Sequence, residues 1–137
     1  TIGEYTVPGA GMGVIGAAIA SAAAFVPQAH FAVYAATKSY VLSFSRALQE
    51  ELIPKEIYIT AVCPGPVDTE FNKVAKASLA IKALDSDVVA KYAIKRMFKK
   101  KLVIIPSLKM KLGVSLSKLM PMKLKTKVSY YIQSAKA

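Results

Sequence analysis

The 137-residue chain, with 54% hydrophobic residues and a mean hydropathy of +0.39, is long enough for one core and too apolar for intrinsic disorder. A single cysteine, Cys63, excludes an internal disulfide and a stapled secreted mini-protein, and with a single histidine, His30, it cannot build a structural zinc site alone. The net charge of +11 is segregated: residues 1–90 carry 6 basic and 8 acidic side chains, and residues 91–137 carry 13 basic and no acidic ones, so the last third reads as an anion-seeking module.

Cysteine usage favours a reducing compartment, the cytoplasm. Thr1, standing where a Met would start a chain, reads as the beginning of a piece of a longer protein. No charge occurs between Glu4 and Lys38, and Gly9 to Val26 is an uncharged run of small and apolar residues. Its length makes it a transmembrane candidate. Its four glycines, many alanines and few large side chains, without a basic flank, favour a buried strand around Val14, Ile15 and Ile19 running into a small-residue loop. Thr1 to Val7, with Gly3 and Glu4 inside, is a poor strand. Gly11, Gly13 and Gly16 match G-x-G-x-x-G, which would cradle a phosphate only with a strand before it and a helix after it. The alternative is a glycine-rich lead-in to the strand.

Val33 to Leu52 has the period of a helix, with Val33, Ala36, Tyr40, Val41, Phe44, Ala47, Leu48 and Leu52 at spacings of three and four before Pro54. Tyr58 to Val62 is a β-branched and aromatic strand stopped by Pro64-Gly65-Pro66. Asp85 caps a helix from about Val88 to Lys100, and Leu102 to Ile105 forms a further strand before Pro106. Alternating strands and helices imply an α/β fold with a parallel sheet covered on both faces.

From Ser107 to Ala137, leucines and methionines alternate with lysines, and Pro121 divides two short amphipathic helices. They form either a helical cap with its lysines in water or a surface for an acidic membrane or hydrophobic partner. Nucleic acid is disfavoured: the segment has no Arg, one aromatic pair (Tyr130-Tyr131) and no recognition motif.

Tyr34 and Lys38 stand at i and i+4 on one helical face. A tyrosine near its ordinary pKa of about 10 is a poor proton-transfer group at neutral pH, and a neighbouring cation improves it. Seven Tyr and 17 Lys in 137 residues give roughly 0.9 such pairs by chance, so the pair alone says little. Its context says more. Ser21 lies 13 residues upstream at the end of a strand, and the next strand runs into Pro64-Gly65-Pro66-Val67-Asp68-Thr69. Carboxyl edges of such strands are where open α/β sheets bind ligands.

These motifs together resemble the short-chain dehydrogenase/reductase family, over about Val14 to Ile105 and more loosely the tail. The resemblance implies a partial Rossmann-like, doubly wound parallel sheet, its last three strands with flanking helices, over 1–106, and a basic amphipathic helical segment over 107–137. It implies Tyr34 as general acid/base, Lys38 as the residue that holds the nicotinamide ribose and lowers the tyrosine pKa, and Ser21 as the hydrogen-bond donor to a substrate carbonyl. Pro64, Gly65, Val67 and Thr69 would contact the nicotinamide carboxamide, and Tyr34 and Lys38 also count as cofactor-binding. The cofactor implied is NAD(P)H, with NADP the first choice. Departures are visible: Ala18 stands where the family often has Asn, and the adenosine-binding half has no room before Ser21. The expected activity is interconversion of a ketone and a secondary alcohol on a lipophilic or acyl-type small molecule. The alternatives are a cofactor-less, inactive fragment and a membrane-associated binding protein. A homo-oligomer, and peripheral membrane contact through 107–137, complete the expectations. No metal and no nucleic acid are expected.

Overall fold

A computed structural model describes residues 3–6, 14–68 and 83–135 of the chain. Strands β1 (Gly3–Thr6) and β2 (Val14–Ile19) are followed by a 3-10 turn (Ala22–Phe25) and helix α1 (Ala32–Leu52). A second 3-10 turn (Ile53–Lys55) leads to β3 (Ile57–Val62), helix α2 (Ser86–Met97), the short β4 (Val103–Ile104), and helices α3 (Leu108–Leu119) and α4 (Met122–Ser134). The sheet order is β1-β2-β3-β4, with β2, β3 and β4 parallel, as the alternation of elements implies.

The antiparallel edge strand β1 differs from expectation, since Gly3 and Glu4 disfavour a strand. Its register, Gly3 opposite Ala17 to Thr6 opposite Val14, lines the backbone edge of β2. Edge N–H and C=O groups need partners, and that pairing outweighs weak local propensity. Gly16 lies inside β2 opposite Ile59, and Ser21 beyond the strand is extended, so no helix follows Gly16 as a phosphate loop requires. Residues 9–13 of that glycine run lie outside the described residues.

Alternation in the strands gives the sheet two packed faces. Ala20, Ala61 and Cys63 meet Leu42 of α1 on one side, and Ile104 and Ala17 meet Met97 and Tyr92 of α2 on the other. Ala61 N–H donates to the Leu102 carbonyl and Cys63 N–H to that of Ile104, both at 2.7 Å, which carries the ladder past the short β4.

Helix α1 ends where predicted, and Glu56 reverses the chain in the left-handed region (φ 59°) before β3. Its packed face takes in only part of the apolar period. Ala35, Leu42, Ser45 and Gln49 are buried, whereas Val33, Ala36, Tyr40, Phe44 and Ala47 are exposed. Val41, Leu48 and Leu52 of the apolar period are half-buried, Val41 against the core, beside the buried Leu42, while its other members face outward. Gln49 shows how a polar residue is tolerated in the packed face: its Oε1 accepts from the Ile59 N–H, at a point where β4 is too short to serve β3.

Asp85 caps α2, its carboxylate accepting from the Asp87 N–H (2.8 Å) and Val88 N–H (3.3 Å). Ser107 caps α3, and Pro121 stands at the start of α4, which explains the break between them. Among the described residues no helix is long and apolar enough to cross a membrane; Val14 to Phe25 is spent on a strand and a 3-10 turn.

Candidate active site

The site forms where β2 and β3 end. Past Ile19 the chain stays extended through Ser21 (φ −165°, ψ 159°), whose Oγ accepts the Ala23 N–H at 3.1 Å and so caps the 3-10 turn. That bond uses a lone pair and leaves the hydroxyl proton to donate. Two backbone bonds lock this segment to the end of β3: Ala20 N–H to the Val62 carbonyl (2.9 Å) and Ala22 N–H to the Pro64 carbonyl (2.8 Å).

Tyr34 lies in the first turn of α1 and Lys38 one turn later. Lys38 Nζ donates to the Ile19 carbonyl at 3.1 Å, two residues before Ser21, and lies 5.8 Å from the centroid of the Tyr34 ring. One ammonium thus links the helix to the strand end and stands beside the phenol. Ser39 Oγ, donating to the Ala24 carbonyl at 2.9 Å, fixes the same helical turn to the 3-10 segment. Cys63 lies beneath, fully buried; burial pushes its thiol up to about 11, partly offset by the positive charges of Arg46 and Lys38 and by a hydrogen bond involving Ser21. Cys63 is thus a small apolar floor for the site.

Ser21, Lys38 and Pro64 are brought together at the sheet edge, with the Tyr34 ring beside the lysine. Val67 bridges to Leu84, with Asp68 N–H to the Leu84 carbonyl (2.8 Å) and Leu84 N–H to the Pro66 carbonyl (2.9 Å). Thr69 lies outside the described residues, as does Glu70. His30, with a positive φ of 64°, is tied to the tail, its Nε2 3.3 Å from Ser134 Oγ and its ring stacked on Tyr130 at 5.6 Å. No group of three or more potential metal ligands occurs among the described residues.

Two features of the site were not anticipated. Helix α3 lies on the Pro64-Gly65 turn so closely that a Cβ on Gly65 would be 2.9 Å from Met110 Cγ. The small size of Gly65, rather than an unusual φ, is what the packing uses. Beside this contact an apolar cavity of about 350 Å³ opens between the 3-10 turn and the tail, bounded by Ala22, Met110, Val114 and Val128 with Lys109 and Lys125. Ala22, the residue after Ser21, lines it, whereas Ser21, Tyr34 and Lys38 do not. A smaller hollow of about 200 Å³, between Ala18, Tyr40, Phe44 and Ile59, is lined by none of the site residues.

Comparison with known proteins follows from this geometry. The family model described as short chain dehydrogenase matches residues 9–80, just over half of the chain. The human 17-beta-hydroxysteroid dehydrogenase type 3 is 36% identical over 70 residues, 51% of this chain and 23% of that protein. The mouse very-long-chain 3-oxoacyl-CoA reductase is 38% identical over 61 residues, 44% of this chain and 20% of that protein. A solved short-chain dehydrogenase from Sphingobium yanoikuyae, in complex with NADPH, superposes with a TM-score of 0.62 at 27% identity, over 77% of this chain and 45% of that one. The matches therefore span about a quarter or less of the curated relatives and under half of the solved structure.

Proposed function

This chain belongs to the short-chain dehydrogenase family, and from that premise we propose that it carries the catalytic part of an NAD(P)-dependent oxidoreductase that interconverts a ketone and a secondary alcohol. The observation that carries the reading is the Lys38 ammonium, bonded to the Ile19 carbonyl near Ser21 and standing beside the Tyr34 ring. A nicotinamide, when bound, supplies the hydride for the carbonyl carbon, or accepts it in the reverse direction.

The donor set suits the nicotinamide end of such a cofactor. Lys38 keeps two N–H donors beyond the one given to Ile19, enough to hold the ribose hydroxyls together with Tyr34. The Pro64 to Val67 turn, with Gly65 lacking a side chain, would flank the carboxamide, and Thr69 would extend that contact. Ser21 donates its hydroxyl proton to the substrate oxygen and fixes its position. Tyr34 delivers a proton to that oxygen as it becomes an alkoxide, and takes it back in oxidation. Lys38 holds positive charge beside the ring, where negative charge appears when the phenol gives up its proton.

The apolar cavity between the 3-10 turn and the tail favours a lipophilic or acyl-type substrate, with Lys109 and Lys125 available to an anionic end. The reductase of very-long-chain 3-oxoacyl-CoA among the relatives is consistent with that class. NADP is preferred to NAD because the superposed bacterial enzyme holds NADPH. The exposed apolar face of α1, with Val33, Tyr40 and Phe44, suits a homo-oligomer.

The test is NADPH oxidation with ketones of increasing chain length. Ser21→Ala and Lys38→Met should each lower kcat/KM by about 10²-fold or more. Unchanged turnover in both variants would overturn the assignment.

A further inference from the structure

Helix α3 carries two unlike faces. Its inner face, with Met110, Val114 and Ser117, packs on the Gly65 turn and lines the cavity. Its outer face carries Leu108, Leu112, Leu116 and Leu119, which are 82%, 62%, 56% and 84% exposed. At 3.6 residues per turn these four leucines fall within an arc of about 80°, opposite the packed side. Lys111 and Lys118 flank the arc on one side, and Lys109, at its other border, lines the cavity. A row of leucines this open is unusual on a water-facing helix, where exposed apolar residues are normally scattered.

We propose that the outer face of α3 docks in the plane of an anionic lipid surface, its leucines entering the acyl boundary and its flanking lysines meeting lipid phosphates and carboxylates. The charge pattern selects this occupant. Residues 91–137 hold 13 basic and no acidic side chains, so two copies of the face would set lysines against lysines with no carboxylate between them. Nucleic acid offers phosphates but no apolar layer for four leucines, and Arg is absent from 107–137. An anionic bilayer offers both, and a helix of this kind lies on the surface without spanning it. The inference stands on the exposed face and is independent of the redox chemistry proposed above.

The experiment is co-sedimentation of the full chain with phosphatidylcholine vesicles, with and without phosphatidylserine, in the absence of cofactor and substrate. Binding should require phosphatidylserine and weaken as salt rises from about 0.1 to about 0.5 M. Lys111→Gln/Lys118→Gln should weaken it by about 25-fold, roughly fivefold per lysine. Leu112→Ser/Leu119→Ser should weaken it at least about tenfold, with the helical circular dichroism unchanged because both side chains are exposed. The proposal fails if the wild-type chain stays in the supernatant with phosphatidylserine vesicles. It fails equally if the leucine variant binds like wild type, or if those leucines instead support a concentration-dependent dimer that ignores vesicles. Because no turnover is measured, a chain inactive toward ketones could still bind vesicles, and an active one could fail to.

Discussion

Substituting Gly65 by Ala tests how helix α3 is seated over the site. The new Cβ would lie 2.9 Å from Met110 Cγ, with Sδ and Cε at 3.4 and 3.5 Å, so the methionine must move or α3 must lift. Gly65 is outside the left-handed region, so the change introduces crowding and no backbone strain. Overpacking of this kind costs about 1–3 kcal/mol. For a 137-residue chain, with an unfolding entropy of about 2.1 cal/mol/K per residue, that lowers Tm by roughly 3–10 °C. Met110→Ala removes the obstructing atoms at a cost of its own. In the double variant the Gly65→Ala penalty should largely vanish, leaving a coupling energy of about 1 kcal/mol or more. Urea unfolding of the four proteins measures the cycle. Strictly additive penalties would refute the contact and, with it, the placement of α3 against the Pro64-Gly65 turn.

Other consequences are more local. Gln49→Leu leaves the half-buried Ile59 N–H without its acceptor and should cost about 1 kcal/mol or more in urea unfolding, whereas the neighbouring exposed Glu50→Gln should cost almost nothing. Cys63, fully buried with its thiol pushed up to about 11, should react with an aromatic disulfide reagent at pH 8 hundreds of times more slowly than a free thiol, and at the ordinary rate once unfolded in urea. The same shift sets a pH dependence. The folded thiol ionises later than the unfolded one, so its stabilisation is intact below about 9 and is lost as pH rises toward about 11, with a slope approaching 1.4 kcal/mol per pH unit that should disappear in Cys63→Ala.

Much of the architecture could be read from local chemistry. Pro54 ends α1, Asp85 begins α2, Pro121 separates α3 from α4, and the β-branched run before Pro64 is β3. Each depends on a residue whose backbone or capping preference acts over a few positions. What could not be read depends on partners distant in the chain. Strand β1 exists through pairing with β2, against the propensities of Gly3 and Glu4. The buried face of α1 could be inferred only in part from periodicity, since Val33, Tyr40 and Phe44 of its apolar period are exposed and Gln49 points inward to serve a strand ten residues on. At the site, the spacing of Ser21, Tyr34 and Lys38 was visible, but the bond that orients Lys38 goes to a main-chain carbonyl, which has no sequence signature. The approach of Met110 to Gly65 is likewise hidden, because a glycine in a Pro-Gly turn already has a sufficient local reason to be there.

The central claim is that Tyr34 moves the proton. Tyr34→Phe keeps the ring and the Lys38 contact while deleting one oxygen, so NADPH, followed by fluorescence, should still bind, weakened by about tenfold at most for the one ribose hydrogen bond lost. Single-turnover NADPH oxidation with a ketone should fall by about 10²–10⁴-fold. A phenylalanine variant that still oxidises NADPH within about tenfold of wild type would contradict the account.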